Sequence, residues 1–155
     1  MWLVGRVTPT TEHDAPAPAD VLRARGLRVT APRIAVYTAL HAIPHATADE
    51  VTTHVRGILG AVSQQAVYDV LAALEDAELV RRIEPAGHPA RFESRVADNH
   101  HHVVCRQCGR VDDVDCAVDG APCLDAGAAT GFAIDEAEIT FWGLCPACTT
   151  AASNT

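Results

Sequence analysis

Lysine is missing from this chain of 155 residues, and every cation is one of twelve arginines. Arginine bias of a GC-rich genome suffices to explain that. Also missing is any apolar run near the roughly eighteen residues that a membrane-spanning helix needs. The apolar start, Met1–Val7, is broken by Gly5 and Arg6 and is too short for a signal-peptide core. A cytoplasmic protein with no membrane partner is therefore expected. No internal repeat is found, and nothing of low complexity beyond Met1–Pro18. Overall positive charge is lacking too. The net charge is -8, which would argue against a nucleic-acid partner if it were evenly spread. It is not. Residues 1–18 carry -1, residues 19–96 hold nine Arg against nine acids, and residues 97–155 hold two Arg against nine acids. The cations sit in one part of the chain, so the whole-chain balance is a poor guide to its partners.

With 48% hydrophobic residues the chain can bury a core. Its length suits one domain or two small ones, and halves of about 75 residues would be marginal without a metal or a partner subunit. Met1–Pro18, rich in Thr, Pro and Ala, reads as a flexible tail. A short helix is expected over Ala19–Arg25, stopped by Gly26. Thr30 can cap a second helix with Pro32 in its first turn, and Ile34, Val36, Tyr37 and Leu40 give it an apolar face. Thr47 and Glu50 form a capping box for a third, with Val51, Val55 and Ile58 inward and Gly57 and Gly60 ending it. Ser63 can cap a fourth, in which Ala66, Val67, Val70, Leu71 and Leu74 follow the 3,4 spacing. Leu79–Glu84 and Ala90–Ser94 read as strands around the turn Pro85-Ala86-Gly87-His88-Pro89. Three helices, a fourth amphipathic helix and a hairpin outline a winged helix-turn-helix. In that motif the fourth helix enters the major groove of double-stranded DNA. Arg81, Arg82, Arg91 and Arg95 suit phosphate contact. The competing reading is an ordinary helix-and-hairpin domain with surface arginines.

The remainder reads as a small α/β unit. Strands are expected over His102–Cys105 and Arg110–Val114, a helix over Ala121–Ala129, and extended chain over Phe132–Leu144 with a turn near Asp135-Glu136. Six cysteines in a reducing compartment favour metal or redox chemistry over structural disulfides. Cys105-x-x-Cys108 and Cys145-x-x-Cys148 supply four thiolates for one tetrahedral zinc. Gly109 suits the tight turn of such a knuckle. With 36 residues between the pairs, the metal would staple a small domain shut. Two independent redox pairs are the alternative, but neither pair is expected to open a helix after a strand, as thioredoxin-type pairs do. A four-thiolate shell leaves no open position for water, which argues against a catalytic zinc. Cys116 and Cys123 read either as small buried apolar groups or as a redox pair. In His100-His101-His102 the outer two residues share one strand face and His101 the other. Near them in sequence stand Glu93, Asp112, Asp113 and Asp115. A mixed N/O donor set suits Fe(II), Mn(II) or Zn(II) at a second site, distinct from a permanent thiolate one. A surface strand without ligand function is the alternative.

His100-His101-His102-x-x-Cys105-x-x-Cys108-Gly109, followed by Cys145-x-x-Cys148, resembles the ferric uptake regulator (Fur) family. Leu27-Arg28-Val29-Thr30-Ala31-Pro32-Arg33 and Val67-Tyr68-Asp69-Val70-Leu71 fit its N-terminal pattern, and the likeness spans about Ala19–Cys148. Asp113–Cys116 through Pro122-Cys123, and Glu138–Cys148, resemble the actinobacterial FurA/CatR branch, associated with catalase-peroxidase control. The resemblance implies an α+β chain: tail 1–18, winged-helix DNA-binding domain 19–95, α/β dimerisation domain 96–148 with structural zinc, tail 149–155. It implies a homodimeric repressor on operator DNA, with no small-molecule substrate and no enzymatic activity. Structural zinc would sit on Cys105, Cys108, Cys145 and Cys148, and regulatory Fe(II) or Mn(II) on His45, Glu93, His100, His102 and Asp113. The DNA face would include Arg28, Ser63, Gln64, Gln65, Tyr68, Arg81 and Arg82. A zinc-uptake regulator is a second reading within the family, and a zinc-containing thiol oxidoreductase a reading outside it. Asp69 stands where many members have Arg, so the operator would differ. Asn99, His101 and Ala137 replace the ligands of a third family site, which is expected to be missing. Glu93 is the residue of iron-sensing members, while the branch resemblance points to peroxide response.

Overall fold

The computed structural model describes residues 15–96, 100–115, 130–133 and 138–153. It begins with α1 (Pro18–Ala24), α2 (Ala31–Ala42), the two-residue strand β1 (Ala46–Thr47), α3 (Ala48–Leu59) and α4 (Gln64–Asp76). The hairpin strands β2 (Arg81–Ile83) and β3 (Arg91–Glu93) follow. Then come β4 (His100–Cys105), β5 (Val111–Asp115), β6 (Thr140–Gly143) and α5 (Pro146–Ser153).

The helix starts obey their caps. The Arg33 N–H donates to Thr30 Oγ1 at 3.4 Å, and the Ala66 N–H to Ser63 Oγ at 3.1 Å. At α3 the box is reciprocal: the Glu50 N–H donates to Thr47 Oγ1 and the Thr47 N–H to Glu50 Oε2, at 3.3 and 2.7 Å. Each bond satisfies a donor that a helix start or its flank leaves without a partner. Gly60 ends α3 at φ 78°, but Gly57 does not, and the helix continues through it. A single interior glycine costs only about 1 kcal/mol, which packing overrides. Ile58, expected on the inward face, is 58% exposed. Thr52 is buried instead, with its hydroxyl donating to the Ala48 carbonyl at 2.7 Å.

Leu22, Val36, Leu40, Val51, Val55, Val67, Leu71 and Leu74 form one apolar core with Phe92 of β3. The axes of α3 and α4 bend by 109° at their turn, within the range of a helix-turn-helix. The hairpin gains β1 as a third strand, in the order β1-β3-β2. Two residues are too few for a sequence alternation, so β1 leaves no signal in the sequence. The second sheet has the order β5-β4-β6, with β5 antiparallel and β6 parallel to the central β4. The architecture is thus α+β, a winged helix-turn-helix followed by a small α/β unit. A second apolar cluster joins the two. Ile83 of β2 is buried with Val104 and Val111, and Trp142 packs against them.

α5 runs to Ser153, into the segment expected as a tail from residue 149. The helix expected over Ala121–Ala129, the turn near Asp135-Glu136, Cys116 and Cys123 all lie outside the described residues, as do residues 1–14. Among the described residues no single helix is long and apolar enough to cross a membrane.

Candidate metal centres

His45 precedes β1 in the left-handed region, at φ 57°. Among non-glycine residues histidine tolerates that conformation better than most. The backbone there is pinned, because Arg91 Nη1 donates to the His45 carbonyl at 2.8 Å and lies 3.6 Å from Glu50 of the capping box. Glu93 ends β3 and is 1% exposed. His100 and His102 come from the same face of β4, and Asp113 is the cross-strand partner of His102 on β5. These five residues converge. The Nε2 atoms of His45, His100 and His102 lie 3.1, 3.2 and 3.3 Å from Glu93 Oε2. They lie 2.8, 3.6 and 3.7 Å from Asp113 Oδ1. The ligand atoms of His45, Glu93, His102 and Asp113 all fall within 4.8 Å of one another.

The donor set fits a divalent cation. Three imidazoles and two carboxylates turn toward one point, and Glu93 Oε1, on one of those carboxylates, is buried without a hydrogen-bond partner. Burying an ionised carboxylate is costly unless positive charge faces it. Burial alone would raise the Glu93 pKa, but hydrogen bonds from His102 and His45 and the charges of His102 and His100 outweigh it and hold the carboxyl well below its usual range. Burial opposes the His45 cation, yet the Glu93 hydrogen bond and the Asp113 charge prevail and raise its pKa. The pocket therefore favours positive charge, supplied by protons or by a metal. His101 points to the other face of β4, toward Phe141 with ring centroids 6.5 Å apart.

The second centre is made of thiols. The sulfurs of Cys105, Cys108, Cys145 and Cys148 lie within 4.8 Å of one another. Cys108 and Cys145 are 3.8 Å apart, far outside disulfide length. A tetrahedron with Zn–S of about 2.3 Å has edges of about 3.8 Å. The first knuckle closes through the Gly109 N–H to the Cys105 carbonyl at 2.9 Å, with Gly109 at φ 71°. The second pair does follow a strand and open a helix, contrary to expectation: Cys145 trails β6 and Cys148 lies in the first turn of α5. Its sulfurs share one cluster with the first pair all the same, as a four-thiolate metal site requires. Backbone N–H groups of Cys108 and Cys145 lower the Cys105 thiol to about 6. Sulfur neighbours, Cys145 foremost, push Cys148 up to about 12. One thiol is ready to ionise and the next is opposed, a conflict that a bound cation removes.

On the helix-turn-helix side, Arg28, Ser63, Gln64, Gln65, Tyr68 and Arg82 are exposed and Arg81 is half-buried. Gln64 is bonded to Asp49, and Gln65 donates to Asp69 at 2.8 Å. Arg82 pairs with Glu84 at 2.5 Å, and Arg81 lies 4.0 Å from Glu93. Two arginines read as suited to phosphate are engaged elsewhere. Arg91 is turned inward to pin His45, and Arg95 bridges Asp113 and Asp115 at 3.4 and 2.8 Å. Sequence reasoning missed the role of Arg91, since only the fold brings β3 beside residue 45.

The model of the ferric uptake regulator family matches residues 24–141. The transcriptional regulator FurA of Mycobacterium tuberculosis is 58% identical over 130 residues, covering 84% of this chain and 88% of its own. The peroxide-responsive repressor PerR of Staphylococcus saprophyticus is 30% identical over 145 residues, covering 90% and 94%. The structure of the Pseudomonas aeruginosa ferric uptake regulator with manganese superposes with a TM-score of 0.70 at 27% identity, covering 84% of this chain and 99% of that one.

Proposed function

The chain belongs to the ferric uptake regulator family, and from that premise we propose that it is a metal-responsive transcriptional repressor that binds operator DNA as a homodimer. The observation that carries the reading is the convergence of His45 and Glu93, from the helix-turn-helix and its wing, on His100, His102 and Asp113 of the second sheet. We assign the sensing metal, Fe(II) or Mn(II), to these five residues, and structural zinc to Cys105, Cys108, Cys145 and Cys148. We assign residues 19–95 to DNA binding and 96–148, with α5, to dimerisation. A cytoplasmic regulator without enzymatic activity follows.

A divalent cation bound here would supply the positive charge that joins ligands of both units. The residues do the rest. His45, held at φ 57° by Arg91, presents Nε2 from the edge of the helical core. Glu93 brings the wing, and the rigid pair His102 and Asp113 brings the second sheet. Ligation of all five would fix the angle between the units and shift the population toward the arrangement in which the α4 helices of a dimer match two half-sites. Arg28, Ser63, Gln64, Gln65, Tyr68, Arg81 and Arg82 form the proposed DNA face. The FurA and PerR relatives favour control of iron or oxidative-stress genes. A gel-shift of zinc-loaded protein on its own promoter, with and without Fe(II) or Mn(II) at fixed salt, tests the reading. Retardation is expected only with metal, and metal-independent binding overturns it.

A further inference from the structure

Both faces of the wing have a physical account except its tip. The wing packs against both units, and Phe92 of β3 joins the helical core. Ile83 at the end of β2 is 4% exposed and packs with Val104 and Val111 of the second sheet. The tip itself is a hydrogen-bonded turn: the His88 N–H donates to the Pro85 carbonyl at 3.0 Å, with Gly87 at φ 80°. That is the positive φ a type II turn requires at its third residue. Pro85 is buried. The turn delivers His88 onto Gly109, which directly follows the ligand Cys108. A Cβ at Gly109 would lie 2.5 Å from His88 Nδ1 and 2.8 Å from its Cγ. Glycine is therefore needed there twice, for φ 71° and for the ring seated on it. Beside the contact, a cleft of about 290 Å³ lined by His45, Arg91, Cys108 and Arg110 reaches from the sensing residues to the thiol knuckle.

We propose that Ile83 and His88 are positioning residues for DNA binding, seating the wing on Val104, Val111 and Gly109, so that the thiolate knuckle sets the attitude of the wing as well as closing its own sheet. The five sensing ligands tie the root of the wing through Glu93, and this apolar seat ties its far strand and tip. The two ties share one rigid hairpin, so weakening the seat raises the metal concentration needed for DNA binding without touching a metal ligand. The proposal rests on the repressor reading for its consequence, but its structural content is independent of DNA.

The test uses full-length zinc-loaded protein and the variants Gly109→Ala, His88→Ala and Ile83→Ala. Hydrogen exchange of the 81–93 segment is measured without DNA or added metal, and promoter retardation is then titrated with Mn(II). In Gly109→Ala the ring must leave its seat; wing exchange should accelerate and the Mn(II) midpoint rise about tenfold, within the 5–150-fold usual for coupled sites. His88→Ala removes the ring and leaves Gly109 at its φ of 71°, so both readouts should shift in the same direction as in Gly109→Ala. Ile83→Ala should act likewise with zinc content unchanged. The proposal is overturned if either His88→Ala or Ile83→Ala exchanges as wild type over 81–93. Should Gly109→Ala fail to retain zinc, His88→Ala and Ile83→Ala decide by the same criterion. If wild-type protein shows no Mn(II)-dependent retardation, the repressor reading fails, while the exchange data still judge the seat.

Discussion

At the scale of single residues, the proposed sensing centre is a competition between protons and metal. The His45 pKa is raised, with burial opposed by the Glu93 hydrogen bond and the Asp113 charge. A raised pKa means the metal-free fold holds its proton more tightly than the unfolded chain does. That stabilisation is complete below the unfolded value of about 6.5 and is lost as pH rises through the folded value. Metal binding runs the other way, since ligands must shed their protons. Mn(II) affinity should therefore fall as pH drops below the raised His45 value. Calorimetric titration across a pH series checks this, with a shallower slope expected in His45→Ala. A second residue-scale prediction concerns oxidation: peroxide applied to iron-loaded protein should add one oxygen to the peptide carrying His45 or His100. Mass spectrometry with iron-loaded and metal-free samples reads it, and equal oxidation in both would count against peroxide sensing.

At the scale of elements, α3 links folding to the site. Its capping box fixes Glu50, Glu50 faces Arg91, and Arg91 holds the His45 backbone. Thr47→Ala should cost about 1 kcal/mol, the usual cost of losing an N-cap, measured by urea unfolding. It should also weaken Mn(II) binding, because Glu50 loses the hydroxyl donor at 3.0 Å. An unaltered metal affinity would separate the cap from the site. The capping residues, the 3,4 spacing of α4 and both CxxC pairs were legible in the sequence because each is local chemistry. The register that sets Asp113 opposite His102 was not, since strand pairing is a tertiary choice. Gly57 and Ile58 misled for the same reason: local propensity lost to packing.

At the scale of the whole molecule, charge is divided between a neutral module and an acidic one. Residues 97–155 hold nine acids against two Arg, in a chain of net charge -8. The proposed DNA face holds three arginines, Arg28, Arg81 and Arg82, and Asp69 lies exposed on the reading helix. Operator affinity should accordingly show a modest salt slope, set by the few phosphates neutralised. Asp69→Ala should strengthen binding to unrelated DNA, by about 1 kcal/mol or less for an exposed charge. Filter-binding over a salt series measures both. An unchanged affinity in Asp69→Ala would place that residue away from the phosphates.

The sequence by itself determined the helix caps, the apolar stripe of α4 and the four thiols, because each depends on residue type and short spacing, whereas the five candidate ligands, His45 above all, came as a set only from the family resemblance. Only the tertiary structure decided that residues 45, 93, 100, 102 and 113 meet within one pocket, for no local rule brings a turn, a wing and two strands together. It also decided that Arg91 faces inward, that Ile83 of the wing packs on the second sheet and that His88 lies against Gly109 of the thiol knuckle. Those contacts come from burying apolar surface and satisfying buried charge between units far apart in the chain, which one-dimensional spacing does not encode.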